Sequence, residues 1–172
     1  MAERTVNRWL TITRVLGAVS LLVIGGLHYQ QYRYAFYSAI PTIGPLFLLN
    51  FISAGALGLL LLVPGKSRLG RRGILLDELA ALSGIAVAAG GFVALLISEQ
   101  TPLFGFMEHG YRFAIVLAIV SDVAATVLLA GFLACTRASA RGQGAARQRE
   151  RSGSGPTDKP LNPPTATPVT EG

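Results

Sequence analysis

The sequence predicts an all-α fold: a membrane-embedded four-helix up-and-down bundle followed by a disordered C-terminal tail. Three observations predict it. Four apolar stretches are each about 20 residues long, enough to cross ~30 Å of hydrocarbon as helices. The basic residues gather in alternate connections, as the positive-inside bias of membrane proteins requires. The 172-residue chain is also 51% hydrophobic and only 14% charged, against about 25% charged in an ordinary soluble domain. Backbone polar groups in lipid must bond within their own segment, so helices are the default form of such stretches.

Taken in order, residues 1–8 read as a cytoplasmic N-terminus and 9–135 as the transmembrane domain. The first helix is expected over 9–29, with its cleanest apolar run at 15–27. Its basic start resembles a signal peptide, but Gly25-Gly26-Leu27-His28-Tyr29 is a poor small-x-small cleavage site, so an uncleaved helix is expected. The second is expected over 41–63. Pro41 and Pro45 stand in its opening turn, where a helix tolerates proline, and Pro64-Gly65 closes it. The third covers 74–97, with Asp77 and Glu78 in its first turn, and the fourth covers 111–135, with Asp122 in the middle. From 136 to 172 the chain turns basic and then rich in Ser, Gly, Pro and Thr, a composition that cannot bury a core.

Lys and Arg set the orientation. Arg4, Arg8 and Arg14 lie at the start, Lys66, Arg68, Arg71 and Arg72 in the middle connection, and Arg137, Arg141, Arg147, Arg149, Arg151 and Lys159 in the tail. The other two connections hold only Arg33 and Arg112. Both termini and the middle loop are therefore expected in the cytoplasm, in a multi-pass protein of the cell membrane. This bias accounts for the formal charge of +6 without a nucleic-acid partner. The tyrosines Tyr29, Tyr32, Tyr34, Tyr37 and Tyr111 all fall on the outer side, as an interfacial aromatic belt would place them. The arginines after the last helix suit attraction to anionic lipids, and equally suit a plain topology signal.

Membrane helices associate through small residues and polar contacts, because lipid is as apolar as leucine. Small residues four apart mark candidate faces: Ala114, Ala118, Asp122, Thr126, Ala130 and Ala134 on the fourth helix, Ala80, Gly84 and Ala88 on the third, Asn50, Ala54 and Gly58 on the second, and Arg14, Ala18, Leu22 and Gly26 on the first. Such faces also fit a membrane protein partner or a second copy of the chain. They place five intramembrane polar residues. Asn50 and Asp122 are expected near the midplane, sharing a hydrogen bond, and Arg14 is expected to pair with Asp77 or Glu78 near the cytoplasmic edge. Packing and a functional pathway are both open for the midplane pair.

A second candidate cluster gathers at the outer rim. His28, Tyr29, Tyr32, Glu99, Glu108, His109 and Arg112 converge there if the helices pack up and down. Aromatic residues with a few polar groups are the usual make-up of a small-ligand site. A structural role, as hydrogen-bonded loop ends, is the competing reading. No metal site is read, because the ligand spacing is not local. The single Cys135 cannot form an internal disulfide. Gly65-Lys66-Ser67 lacks the upstream glycine of a phosphate-binding loop. A Ser-His-Asp hydrolase is disfavoured, since Asp122 and the histidines stand at different depths.

The run Ile40-Pro41-Thr42-Ile43-Gly44-Pro45-Leu46-Phe47-Leu48-Leu49-Asn50, within 28–50, and the run from Ser98 to Glu108 resemble small four-span membrane proteins of actinobacteria. The resemblance covers roughly 10–135. Members are described as integral membrane proteins, so it implies the topology and no activity or cofactor. The chain is also similar, more weakly, to four-helix membrane subunits that associate with quinone or haem through histidines projecting into the bundle. Function is thus expected to be that of a non-enzymatic membrane subunit or scaffold. A quinone- or haem-associated redox protein with an outer-rim site and a small proton-linked carrier using Asp122 stand as alternatives.

Overall fold

The computed structural model describes residues 2–64, 70–102 and 113–153. It is all-α: α1 (Ala2–Tyr34), a short 3-10 turn (Tyr37–Ala39), α2 (Ile43–Leu62), α3 (Arg71–Gln100) and α4 (Phe113–Gly153). The four helices pack up and down, as the sequence predicts. Four stretches, Arg8–Tyr34, Ile43–Leu62, Arg72–Gln100 and Phe113–Gly142, are long and apolar enough to cross a membrane. Contacts divide the chain into Met1–Arg137, which holds the packed helices, and Ala138–Gly172.

Three helices run further than their apolar stretches; α3 starts at Arg71 and ends at Gln100, three residues more at each end than expected, so Asp77 and Glu78 lie beyond its first turn. In α1, Gln30, Gln31, Tyr32 and Arg33 are polar but compatible with a helix, so the helix continues to Tyr34. In α4 the Ala-, Arg- and Gln-rich stretch after Thr136 is built from strong helix formers, and the helix reaches Gly153. Of the tail expected to be disordered over 136–172, residues 136–153 continue α4 as helix, and 154–172 lie outside the described residues, as do Glu108, His109 and Arg112.

The core follows the small-residue logic on α2 and α3. Ala54 and Gly58 are buried on α2, and Ala80, Gly84 and Ala88 on α3. On α4 the row read from the sequence does not hold. Ala130 and Ala134 are exposed, and the buried stripe is Asp122, Ala125, Leu129, Phe132 and Leu133. An i+4 step overshoots a full turn by about 40°, so a row of six such residues winds to the other side of the helix. A stripe that alternates steps of three and four stays on one face. On α1 the same drift leaves Gly26 exposed; Ala18 of that row is buried, together with Leu21, Ile24 and Gly25 from outside it.

Glycine sets how closely the helices approach. A Cβ at Gly58 would stand 3.0 Å from the Ala18 carbonyl oxygen, so α2 rests against the backbone of α1. Leu129 of α4 occupies the space beside Gly84 of α3, where a Cβ would come within 2.9 Å of its Cδ1. Facing outward, Leu49, Ile52, Leu59, Leu79, Leu82, Val120 and Val127 are each more than half exposed. An apolar surface on every helix would be untenable in water and is what a lipid-facing bundle presents.

The connection between α1 and α2 is tightly wound. Phe36 (φ 61°) and Thr42 (φ 72°) both adopt positive φ. The Ile43 N–H donates to the Pro41 carbonyl at 2.9 Å, which closes a three-residue turn around Thr42 (ψ −50°). Turns of this kind are rare and strained, at a cost of about 1–3 kcal/mol. The turn places Tyr37, 8% exposed, with its ring edge-on to Phe47 of α2 at 5.1 Å.

Candidate functional site

The end of the bundle that carries the 3-10 turn holds a half-open cavity of about 380 Å³. Its wall comes from α1 (Leu27, His28, Gln31), the turn (Tyr37), α2 (Ile43, Leu46, Phe47, Leu49, Asn50, Ser53), α3 (Val87, Gly90, Gly91, Ala94, Leu95, Ser98) and α4 (Ala114, Ile115, Ala118). Most of the wall is apolar. The polar groups come mainly from His28 and Gln31 on α1 and Asn50 and Ser53 on α2. Each pair is spaced i, i+3, which puts both members on one helix face.

His28 organises these groups. Because α1 runs to Tyr34, His28 lies six positions inside its end, about 9 Å by helical rise. The sequence places it at the helix end; it sits instead well within the bundle. Its Nδ1 is 2.9 Å from the Ile24 carbonyl oxygen and its Nε2 is 2.9 Å from Asn50 Nδ2. A carbonyl only accepts, so Nδ1 carries the hydrogen. In the neutral ring Nε2 then offers a lone pair, and the Asn50 amide donates to it. The ring stacks at a tilt on Phe47, with centroids 5.1 Å apart.

This arrangement replaces the expected bond between Asn50 and Asp122. No hydrogen bond joins them. Both point at the same spot beside Gly91, where a Cβ would meet Asn50 Nδ2 at 3.5 Å and Asp122 Oδ2 at 3.7 Å. Asp122 is 3% exposed and stands beside Gly91, which lines the cavity, without itself entering the lining. Asn50 Oδ1, Gln31 Oε1 and Asp122 Oδ1 are all buried with no hydrogen-bond partner.

Of the other rim residues, the described ones stand outside the lining. Tyr29 is exposed, and its ring lies 5.0 Å from Phe51, outside the cavity lining. Tyr32 and Glu99 are half-buried and also stand apart from the lining. At the other end of the bundle, the Arg14 Nη1 donates to Asp77 Oδ2 at 3.3 Å, which is the pairing read from the sequence, while Glu78 takes no part in it. Among the described residues, no group of three or more His, Cys, Asp or Glu is placed to hold a metal ion.

Sequence reasoning missed Gln31, Phe47, Ser53, Gly91 and Ser98. The signal that finds two of them is the i, i+3 spacing of polar residues in otherwise apolar helices: His28 with Gln31, and Asn50 with Ser53. Phe47 and Gly91 carry no such mark, since aromatic and small residues are ordinary in a membrane helix.

Comparison with family models, with curated proteins and with solved structures returned no match. The four apolar helices are candidate membrane spans and are consistent with a four-span membrane protein.

Proposed function

We propose that this is a non-enzymatic, multi-pass protein of the cell membrane that holds a small lipophilic molecule between its helices. The single observation that carries the reading is the cavity of about 380 Å³, apolar except for a hydrogen-bonded His28–Asn50 pair and a few polar neighbours. A volume of that order suits a small molecule, and a mostly apolar wall with a few fixed polar groups is how such sites are built.

The extract of the purified protein tests it. Full-length protein purified from its native membrane is expected to release one lipophilic compound in near-stoichiometric amount, detected by mass spectrometry. Ala94→Phe, which projects a ring into the cavity, is expected to lose that compound while keeping its helical content. Identical extracts from the two proteins would contradict the reading.

Both termini and the middle loop are assigned to the cytoplasm, because the Lys and Arg residues cluster there. The cavity then belongs to the outer half of the bilayer. Reporter fusions at the C-terminus and at Gly70 are expected to read cytoplasmic, and a fusion at Gly105 external. A C-terminal reporter that is active only outside the cell would overturn the orientation. Arg137, Arg141, Arg147, Arg149 and Arg151 follow the last span directly and suit anionic headgroups, at about 1 kcal/mol per residue near the surface.

One observation favours a second reading, a proton-linked carrier: buried Asp122 lies beside Gly91 with Oδ1 unpartnered. Proton flux into proteoliposomes that is abolished by Asp122→Asn distinguishes it from simple binding.

A further inference from the structure

We infer that the cavity selects a hydroxylated aromatic molecule, a phenol-type head on an apolar tail, over an otherwise identical molecule that lacks the hydroxyl. The inference deepens the binding reading above and rests on it. Hydrogen-bond donors and acceptors do not balance in the cavity. His28 Nδ1 gives its hydrogen to the Ile24 carbonyl, and Nε2 takes one from Asn50. That fixes the Asn50 amide, with its nitrogen toward the ring and its oxygen elsewhere. Asn50 Oδ1 is then buried with no donor, and Gln31 Oε1 is in the same condition. Asn50 and Gln31 both line the cavity. The surplus is therefore of acceptors, in a place where lipid supplies no hydrogen. Each unsatisfied buried acceptor is costly. A guest that brings an O–H removes that cost, and one that brings only acceptors does not.

The shape of the guest follows from the other walls. Phe47 is held by rings on two sides, tilted against His28 and edge-on to Tyr37, each at 5.1 Å. It offers a planar ring an offset or edge-to-face partner in the same lining as Asn50. Gly91 keeps the floor open, because it adds no side chain between Asn50 and Asp122. Leu46 and Leu49 line the same cavity and carry large exposed apolar surface, which suits an alkyl tail continuing toward lipid.

The test uses the full chain in lipid nanodiscs and two probes, tritiated 4-octylphenol and its methyl ether, 4-octylanisole. They share ring and tail and differ in the donor. The phenol is expected to bind saturably and about tenfold more tightly than the ether, the ratio that corresponds to one hydrogen bond to a buried acceptor. Asn50→Leu is expected to bring the two affinities together. Gly91→Ala, whose added carbon makes only ordinary contacts at 3.5 Å and beyond, is expected to weaken the phenol while circular dichroism stays unchanged. Equal binding of the two probes, both lost in Ala94→Phe, would overturn the donor inference and leave the binding reading standing. No saturable binding of either probe would overturn the inference as well, while the extract comparison decides the binding reading independently.

Discussion

Asp77→Ala is expected to destabilise the bundle by about 2–3 kcal/mol, and Arg14→Leu with Asp77→Leu together by much less than the sum of the two single changes. The two side chains meet at 3.3 Å and are 24% and 13% exposed, so neither is freely solvated. The Arg14 Nε is buried without a partner, which leaves the contact with Asp77 as the charge balance of that guanidinium. Removing one member of a buried pair strands the other, at a cost of about 3–5 kcal/mol in dry protein and about 2.5–3.5 kcal/mol on membrane-insertion scales. Arg14 stands near the end of its span, and its long stem can carry the charge toward the headgroups, which favours the lower figures. Removing both partners leaves only apolar surface facing lipid or helix. Unfolding in mixed micelles with increasing dodecyl sulfate, followed by circular dichroism, measures the coupling. Strict additivity of the two single changes would show that the pair contributes nothing.

Gly58→Leu is expected to have an effect of the same order, about 2–3 kcal/mol, for the opposite reason: too much volume. The first added carbon would already stand 3.0 Å from the Ala18 carbonyl oxygen and 3.0 Å from the Leu22 side chain. Backbone cannot step aside as a side-chain tip can, so α2 must move off α1. Overpacking of that kind costs about 1–3 kcal/mol, and here it also opens the contact that positions Asn50 against His28. Gly131→Leu provides the control. Nothing lies within 4 Å of a Cβ there, the side chain would meet open space, and leucine is the better helix former by somewhat under 1 kcal/mol. The control is therefore expected to be neutral or slightly stabilising under the same titration. Equal losses at both positions would show that helix packing does not depend on the close approach at Gly58.

The two predictions mark how far the sequence could be read. Length and hydropathy suffice to place four helices, because a span has to be about 20 apolar residues whatever it packs against. The Arg14–Asp77 pair was legible for a similar reason: charges within a span are rare, and opposite charges at one depth have few other ways to be satisfied. The cavity was not legible. Its polar centre required knowing that α1 continues through Gln30–Arg33, which polarity alone would assign to a loop. That extension moves His28 from the rim to the interior and gives Asn50 a nearer partner than Asp122. The α4 stripe was misread because a straight i+4 row was treated as one face, whereas the helix turns it away within a few steps. A void also leaves no residue-level trace. Gly91 matters here for the side chain it does not have.

An experimental structure of the full chain in a lipid environment, inspected between Phe47, Asn50 and Gly91, tests the central claim most directly. The account predicts His28 Nε2 within hydrogen-bond distance of Asn50 and non-protein density beside the Asn50 oxygen. Helices closed onto one another at Gly91, with the His28 and Asn50 side chains apart and no space between them, would contradict it.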